Sequence, residues 1–152
     1  MKMSTKVTGF AALFVSLSLC VPIAQARNDA FFLPIQDAIK ADEAKPRLNN
    51  DIKLYFGDQP YPAVEVTLFH GFVAYKKGSI FEKTEVEACN LTFLAALVQI
   101  QERARRMGGN AVINIESFYK KRSFRSNDKY ECHAGSAKTG VMLRGDIVKL
   151  RK

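Results

Sequence analysis

The chain has 152 residues, 47% hydrophobic and 25% charged, with 23 Lys and Arg against 15 Asp and Glu and a formal charge of +8 at pH 7. That length and apolar content suit one domain with a buried core, and the lack of internal repeats, linkers and low-complexity tracts excludes a modular or repeat architecture. The positive excess points toward anionic partners such as phosphorylated lipid headgroups, acidic polysaccharide or an acidic protein surface.

The N-terminus reads as a secretory signal. Lys2 and Lys6 form a positive n-region, Val7 to Leu19 is apolar with no acid, and Ala24-Gln25-Ala26 supplies the small-x-small cleavage pattern. The apolar run is short of the roughly 20 residues that span a bilayer. A rival is lipid attachment at Cys20, for which Leu17 is correctly placed and Leu19 is too large. Cleavage after Ala26 removes two lysines and no acid from the 152 residues, leaving 126 residues with a charge of +6. The expected organisation is a signal peptide over 1–26, a lead segment over 27–50 and a single α+β domain over 51–152.

In the lead segment Phe31-Phe32-Leu33 is an apolar knot, and Pro34 starts a short helix over Ile35 to Ala41. Ile52 to Phe56 alternates as a half-buried strand, and Gly57 to Pro62 makes a turn. In the next strand Val64, Val66 and Leu68 share one face in a register expected to be firm. Gly71 marks a bulge before Phe72 to Tyr75, and Lys76-Lys77-Gly78-Ser79 reads as a loop.

Thr84 with Glu87 forms a capping box that opens the main helix. Val86, Cys89, Phe93, Leu97, Ile100, Ala104 and Met107 recur three or four residues apart on one face. Gly108-Gly109 supplies a left-handed stop. Ala111 to Ile115 is an apolar strand whose core side is marked by Ile113 and Ile115. Lys120 to Lys129 reads as a charged hairpin loop. Tyr130 to Leu143 is the return strand, with Ala134-Gly135-Ser136-Ala137 letting the helix lie close, and Gly145 to Leu150 ends the chain in another alternation.

Removal of the signal leaves two cysteines, Cys89 and Cys132. In an oxidising compartment a widely spaced pair predicts a disulfide, with a loop closure worth roughly 4 kcal/mol. The same thiols with His133 and His70 hold soft donors suited to zinc or copper(I), at a spacing that matches no compact ligand motif. Lys138-Thr139-Gly140 and Ser126-Asn127-Asp128-Lys129 imitate penicillin-binding motifs, but both fall within residues 126–140 instead of on distant elements. No nucleophile elbow is present. Lys120, Lys121, Arg122 and Arg125, interleaved with Phe118, Tyr119 and Phe124, form a candidate binding patch. Export argues against nucleic acid as its partner.

The run Ala104-Arg105-Arg106-Met107-Gly108-Gly109-Asn110-Ala111-Val112-Ile113-Asn114-Ile115, followed by Gly135-Ser136-Ala137, resembles the YbjQ-like family. Gly109 stands where that family usually carries alanine. The sensor lipoproteins of the Rcs envelope-stress pathway share this core, with cysteines placed like Cys89 and Cys132. Their second disulfide has no counterpart here. The resemblance covers about residues 88–150 and implies a helix leading through a glycine stop into a central strand, with ring-forming homo-oligomers as an expectation. Leu54-Tyr55-Phe56-Gly57-Asp58 and Tyr130-Glu131-Cys132-His133-Ala134-Gly135 also resemble small exported bacterial proteins described as an excinuclease ATPase subunit. No Gly-x-x-x-x-Gly-Lys-Ser/Thr loop supports that description.

These readings predict a periplasmic or secreted α+β protein with one main amphipathic helix on an antiparallel sheet, a YbjQ-like core and one disulfide. Its expected role is a non-enzymatic envelope accessory or interaction module without a cofactor. It would bind a protein or an anionic envelope component through Lys120, Lys121, Arg122, Phe124 and Arg125. The rivals are a metal-handling or thiol-redox module using Cys89, Cys132 and His133, and a small hydrolase.

Overall fold

The computed structural model describes residues 26–41 and 46–151. The cleavage pattern before Ala26 and the lipidation candidate Cys20 lie outside the described residues. Six strands form one sheet: β1 (Asp29–Pro34), β2 (Lys53–Phe56), β3 (Val64–Ser79), β4 (Ala111–Ser117), β5 (Lys129–Ala134) and β6 (Lys138–Leu150). A short helix α1 (Ile35–Lys40) follows β1, and the long helix α2 (Glu85–Arg106) follows β3. The architecture is mixed α+β, as the sequence predicts. Among the described residues no helix is long and apolar enough to cross a membrane.

The spine of the sheet is β6. One of its edges pairs with β3 from Val64↔Leu150 to Ser79↔Lys138. Its other edge is shared in series, by β4 (Ala111↔Val148 to Ser117↔Leu143) and then by β5 (His133↔Gly140 and Ala134↔Thr139). Outside these, β1 pairs antiparallel with β5, and β2 pairs parallel with β4. The sheet is therefore mixed, not wholly antiparallel.

α2 forms as its sequence dictates. The Thr84 hydroxyl accepts from the Glu87 amide (3.2 Å) while a Glu87 carboxylate oxygen accepts from the Thr84 amide (2.8 Å). At the far end Gly108 takes φ of 77°, and the amides of Gly108 and Gly109 donate to the carbonyls of Arg105 and Ala104, closing a Schellman stop. Cys89, Phe93, Leu97, Ile100 and Ala104 are fully buried against the sheet. Val86 lies in the first turn, outside that contact, and is exposed. Phe93 stacks on Tyr130 at 3.9 Å, and the Tyr130 hydroxyl donates to Asn90 (2.6 Å). Burial pushes the Tyr130 phenol far above its ordinary range. The Sγ atoms of Cys89 and Cys132 lie at bonding distance, 1.99 Å, and both residues are completely buried.

Several local expectations are corrected. Lys76-Lys77-Gly78-Ser79 is not a loop but the end of β3, where pairing with residues 138–141 of β6 overrides the turn-like composition. Here the helix lies close against the sheet. A Cβ on Gly78 would lie 2.0 Å from Thr92 Oγ1, and Thr92 bonds Thr139 across the gap (2.6 Å). The register of β3 is interrupted three times, between Val64 and Val66, Thr67 and Phe69, and Phe69 and Phe72. The last break sits at the expected bulge of Gly71, whose φ is 64°.

Of Ala134 to Ala137 only the buried Ala134, in register with Cys132, lies on the helix-facing side of a strand. Gly135-Ser136-Ala137 is the turn that splits the expected return strand into β5 and β6. Ile113 and Ile115 do not share a face. Asn114 at φ of 55° makes a bulge, so Val112 and Ile115 face the helix over Gly145, whereas Ile113 joins Ala111, Val148 and Leu150 behind the sheet. The lead segment is built into the domain: β1 is a sheet strand, and Ile35 and Ala38 are core residues.

Candidate functional site

Since β4 and β5 run in the same direction along one edge of β6, the chain between them is not a hairpin. It leaves the sheet after Ser117 and returns at Lys129. This excursion folds over the face that α2 does not cover. Three aromatic residues seat it: Phe118 lies under the Arg144 guanidinium (3.8 Å), Tyr119 stacks on His133 (3.6 Å between centroids, 12° between planes), and Phe124 packs on Phe32 (4.7 Å). Ser117 and Phe124 exchange backbone hydrogen bonds of 3.0 and 2.8 Å. The aromatic residues of the sequence-predicted patch thus have packing roles, and Phe124 is half-buried.

The four basic residues of that patch divide. Arg125 is bound into the structure: it donates to Asp58 (2.8 Å), the Gly57 carbonyl (2.6 Å) and Asn114 (3.3 Å). Asn127 holds the same turn by accepting from the Asp58 amide (2.6 Å). Lys120, Lys121 and Arg122 are exposed and form no ion pair among the described residues. Lys120 and Lys121 take φ of 49° and 63°, two consecutive side-chain-bearing residues in the left-handed region. Such a conformation costs about 1–2 kcal/mol per residue, sustained here by the seated aromatics on either side.

Beneath Tyr119 lies a buried polar pair. β-strand alternation puts Glu131 and His133 on the open face while Cys132 between them faces the helix. His133 Nε2 donates to a Glu131 carboxylate oxygen at 2.7 Å, with side chains 6% and 9% exposed, and Nδ1 is buried with no partner among the described residues. Beside the pair is a cavity of about 230 Å³, lined by Asn28, Tyr75, Lys77, Tyr119, His133 and Lys138, among others. Burial, reinforced by the neighbouring Tyr75, raises the Tyr119 phenol above its ordinary value.

The candidate metal ligands are not brought together. Cys89 and Cys132 are joined in the core, and His133 points to the opposite face from Cys132. His70 is almost wholly exposed on β3, with Nδ1 3.7 Å from Asp146. Among the described residues, no three His, Cys, Asp or Glu side chains cluster as a metal site would require. Sequence reading missed Glu131, Tyr75, Lys77 and Lys138. A signal for Glu131 was present: a core-facing Cys132 places both of its neighbours together on the other side.

The chain matches no protein-family model, no curated protein and no solved structure. The YbjQ-like resemblance accordingly rests on its motif residues alone.

Proposed function

We propose that this chain is an exported, non-enzymatic interaction module of the cell envelope that takes an anionic envelope component on the tip of its excursion. The observation that carries the reading is the separation of Arg125, held by Asp58 and Gly57, from Lys120, Lys121 and Arg122, which meet no carboxylate among the described residues. Three cations on a backbone fixed by aromatic anchors form a preorganised surface, so little ordering entropy is lost when an anionic layer binds. The buried cysteine pair and the secretory pattern favour an oxidising compartment. The non-enzymatic reading draws on His133, whose ring bonds Glu131 and, among the described residues, no hydroxyl or thiol nucleophile.

Co-sedimentation tests the reading. The mature protein should bind vesicles of phosphatidylglycerol and phosphatidylcholine, bind pure phosphatidylcholine poorly, and lose binding as salt is raised. Replacing Lys120, Lys121 and Arg122 together with Gln should abolish the difference between the two vesicles. Undiminished binding by this variant would sink the proposal. The export component is checked by intact mass of the periplasmic protein. A chain starting at Arg27 and lighter by two hydrogens than its reduced form is expected, and a lipid-sized addition at Cys20 would replace the soluble form by an anchored one.

A further inference from the structure

We propose that the cavity between Tyr75 and Tyr119 is a binding site for a phosphoryl group carried by a small polar molecule. The site stands apart from the excursion tip and does not depend on it. Its two cations come from adjacent strands: Lys77 of β3 is paired with Gly140, and Lys138 of β6 lies two residues before that glycine. Both belong to the open face and both line the cavity. No Asp or Glu lines it, and the carboxylate beneath, on Glu131, is engaged by His133. The two lysine charges outnumber the one carboxylate near the cavity, Glu131, which acts on the Tyr119 wall.

The polar groups fit the same ligand class. Tyr75 and Tyr119 bring hydroxyls and Asn28 an amide that bonds Tyr119, and the His133 ring, stacked under Tyr119, closes one wall. Lysine ammoniums act as point charges with three donors each, which suit a multiply charged phosphoryl oxygen shell. Gly140 keeps the space open. A Cβ there would sit 3.5 Å from the Tyr75 hydroxyl oxygen and 3.8 Å from the Tyr119 ring, in the gap between the two. At about 230 Å³ the cavity falls below the range of roughly 300–1,000 Å³ typical of drug-sized ligands, so the part seated inside is a phosphoryl group and a body near glycerol in size, with anything larger lying outside it.

The test is a two-dimensional amide NMR titration of the oxidised mature protein with inorganic phosphate and with glycerol 3-phosphate, ionic strength held constant with chloride. Saturable shifts are expected at Gly135, Lys138 and Gly140. Lys77→Gln and Lys138→Gln should each weaken binding about tenfold, the scale of one charge-assisted hydrogen bond. Gly140→Ala, which meets its neighbours at ordinary contact distance, should weaken it with the fold intact, so the result does not hang on the lysine variants alone. Lys121→Gln should leave it unchanged, which separates this site from the vesicle-binding tip. Phosphatidylcholine vesicles containing phosphatidic acid identify the source: competition with glycerol 3-phosphate assigns a lipid headgroup, and its absence a soluble ester. Shifts that do not saturate, that are confined to residues 120–122, that survive both lysine substitutions, or that acetate reproduces at equal concentration would overturn the assignment.

Discussion

The two faces of this sheet are covered in different ways. On one, α2 lays down a continuous apolar stripe, crossed by a few polar contacts: the Thr92–Thr139, Tyr130–Asn90 and Gln101 bonds and Arg103 over Phe69 and Phe72. On the other, an irregular excursion touches down at three separate aromatic points, with buried or half-buried polar pairs, Glu131–His133 and Glu116–Arg144, between them. The helix side is sealed by area and shape. The excursion side is held at anchors, which leaves a cavity and an exposed cationic tip between them. The buried core packs against the first face and the proposed recognition surfaces lie on the second, because gaps and unpaired charges are tolerated only where the core does not depend on them.

The contrast breaks most sharply at two phenylalanines. Phe93→Ala should cost about 3–5 kcal/mol in urea unfolding, since it empties a fully buried site stacked on Tyr130. Phe124→Ala, at a half-buried anchor, should cost about 1 kcal/mol. Equal losses would mean the two faces share the stabilising burden. Next in size is the cysteine pair. Replacing both Cys89 and Cys132 with Ala should lower stability by about 2–4 kcal/mol while vesicle binding at the tip persists in the folded fraction. Loss of binding in a still-folded protein would show that the staple also positions the excursion.

The smallest effect sharpens the helix side alone. Thr84→Ala should cost about 1 kcal/mol. Its partner Glu87 has a carboxyl held below the ordinary glutamate range, chiefly by the Thr84 backbone amide and then by its hydroxyl. A depressed folded-state value means this contribution is present above the ordinary glutamate range and lost as the pH falls through the folded-state value. The wild-type advantage over Thr84→Ala should therefore shrink in strongly acidic urea titrations, where the hydroxyl–carboxylate bond is lost, and keep the part due to the hydroxyl accepting from the Glu87 amide. An advantage that is the same at neutral and acidic pH would assign the cap to the hydroxyl alone.

What could be read from the sequence was local. α2 announces itself because its cap, its stripe and its glycine stop are all written within the helix, and each acts over three or four residues. Gly71 is legible as a bulge for the same reason. The misread segments depend on distant partners. Lys76 to Ser79 has a loop composition but finds residues 138–141, and Ile113 leaves the core face because of a single left-handed residue, Asn114. The basic patch was half legible. Its charges are visible as a run, but Arg125 is taken by Asp58, 67 residues away, and Tyr119 by His133 on another strand. The cavity lysines were hidden because Lys77 and Lys138 meet only through the β3–β6 pairing.

The serial sharing of one β6 edge by β4 and β5 has a consequence for how the molecule can vary. Each half-strand keeps its own hydrogen bonds to β6, Ala111 to Ser117 with one stretch and His133 and Ala134 with another. The residues between them set neither register. The excursion is thus a cassette: its length and chemistry can be exchanged while both splice points stay fixed, and a new surface can be grafted there without rewriting the sheet that carries it.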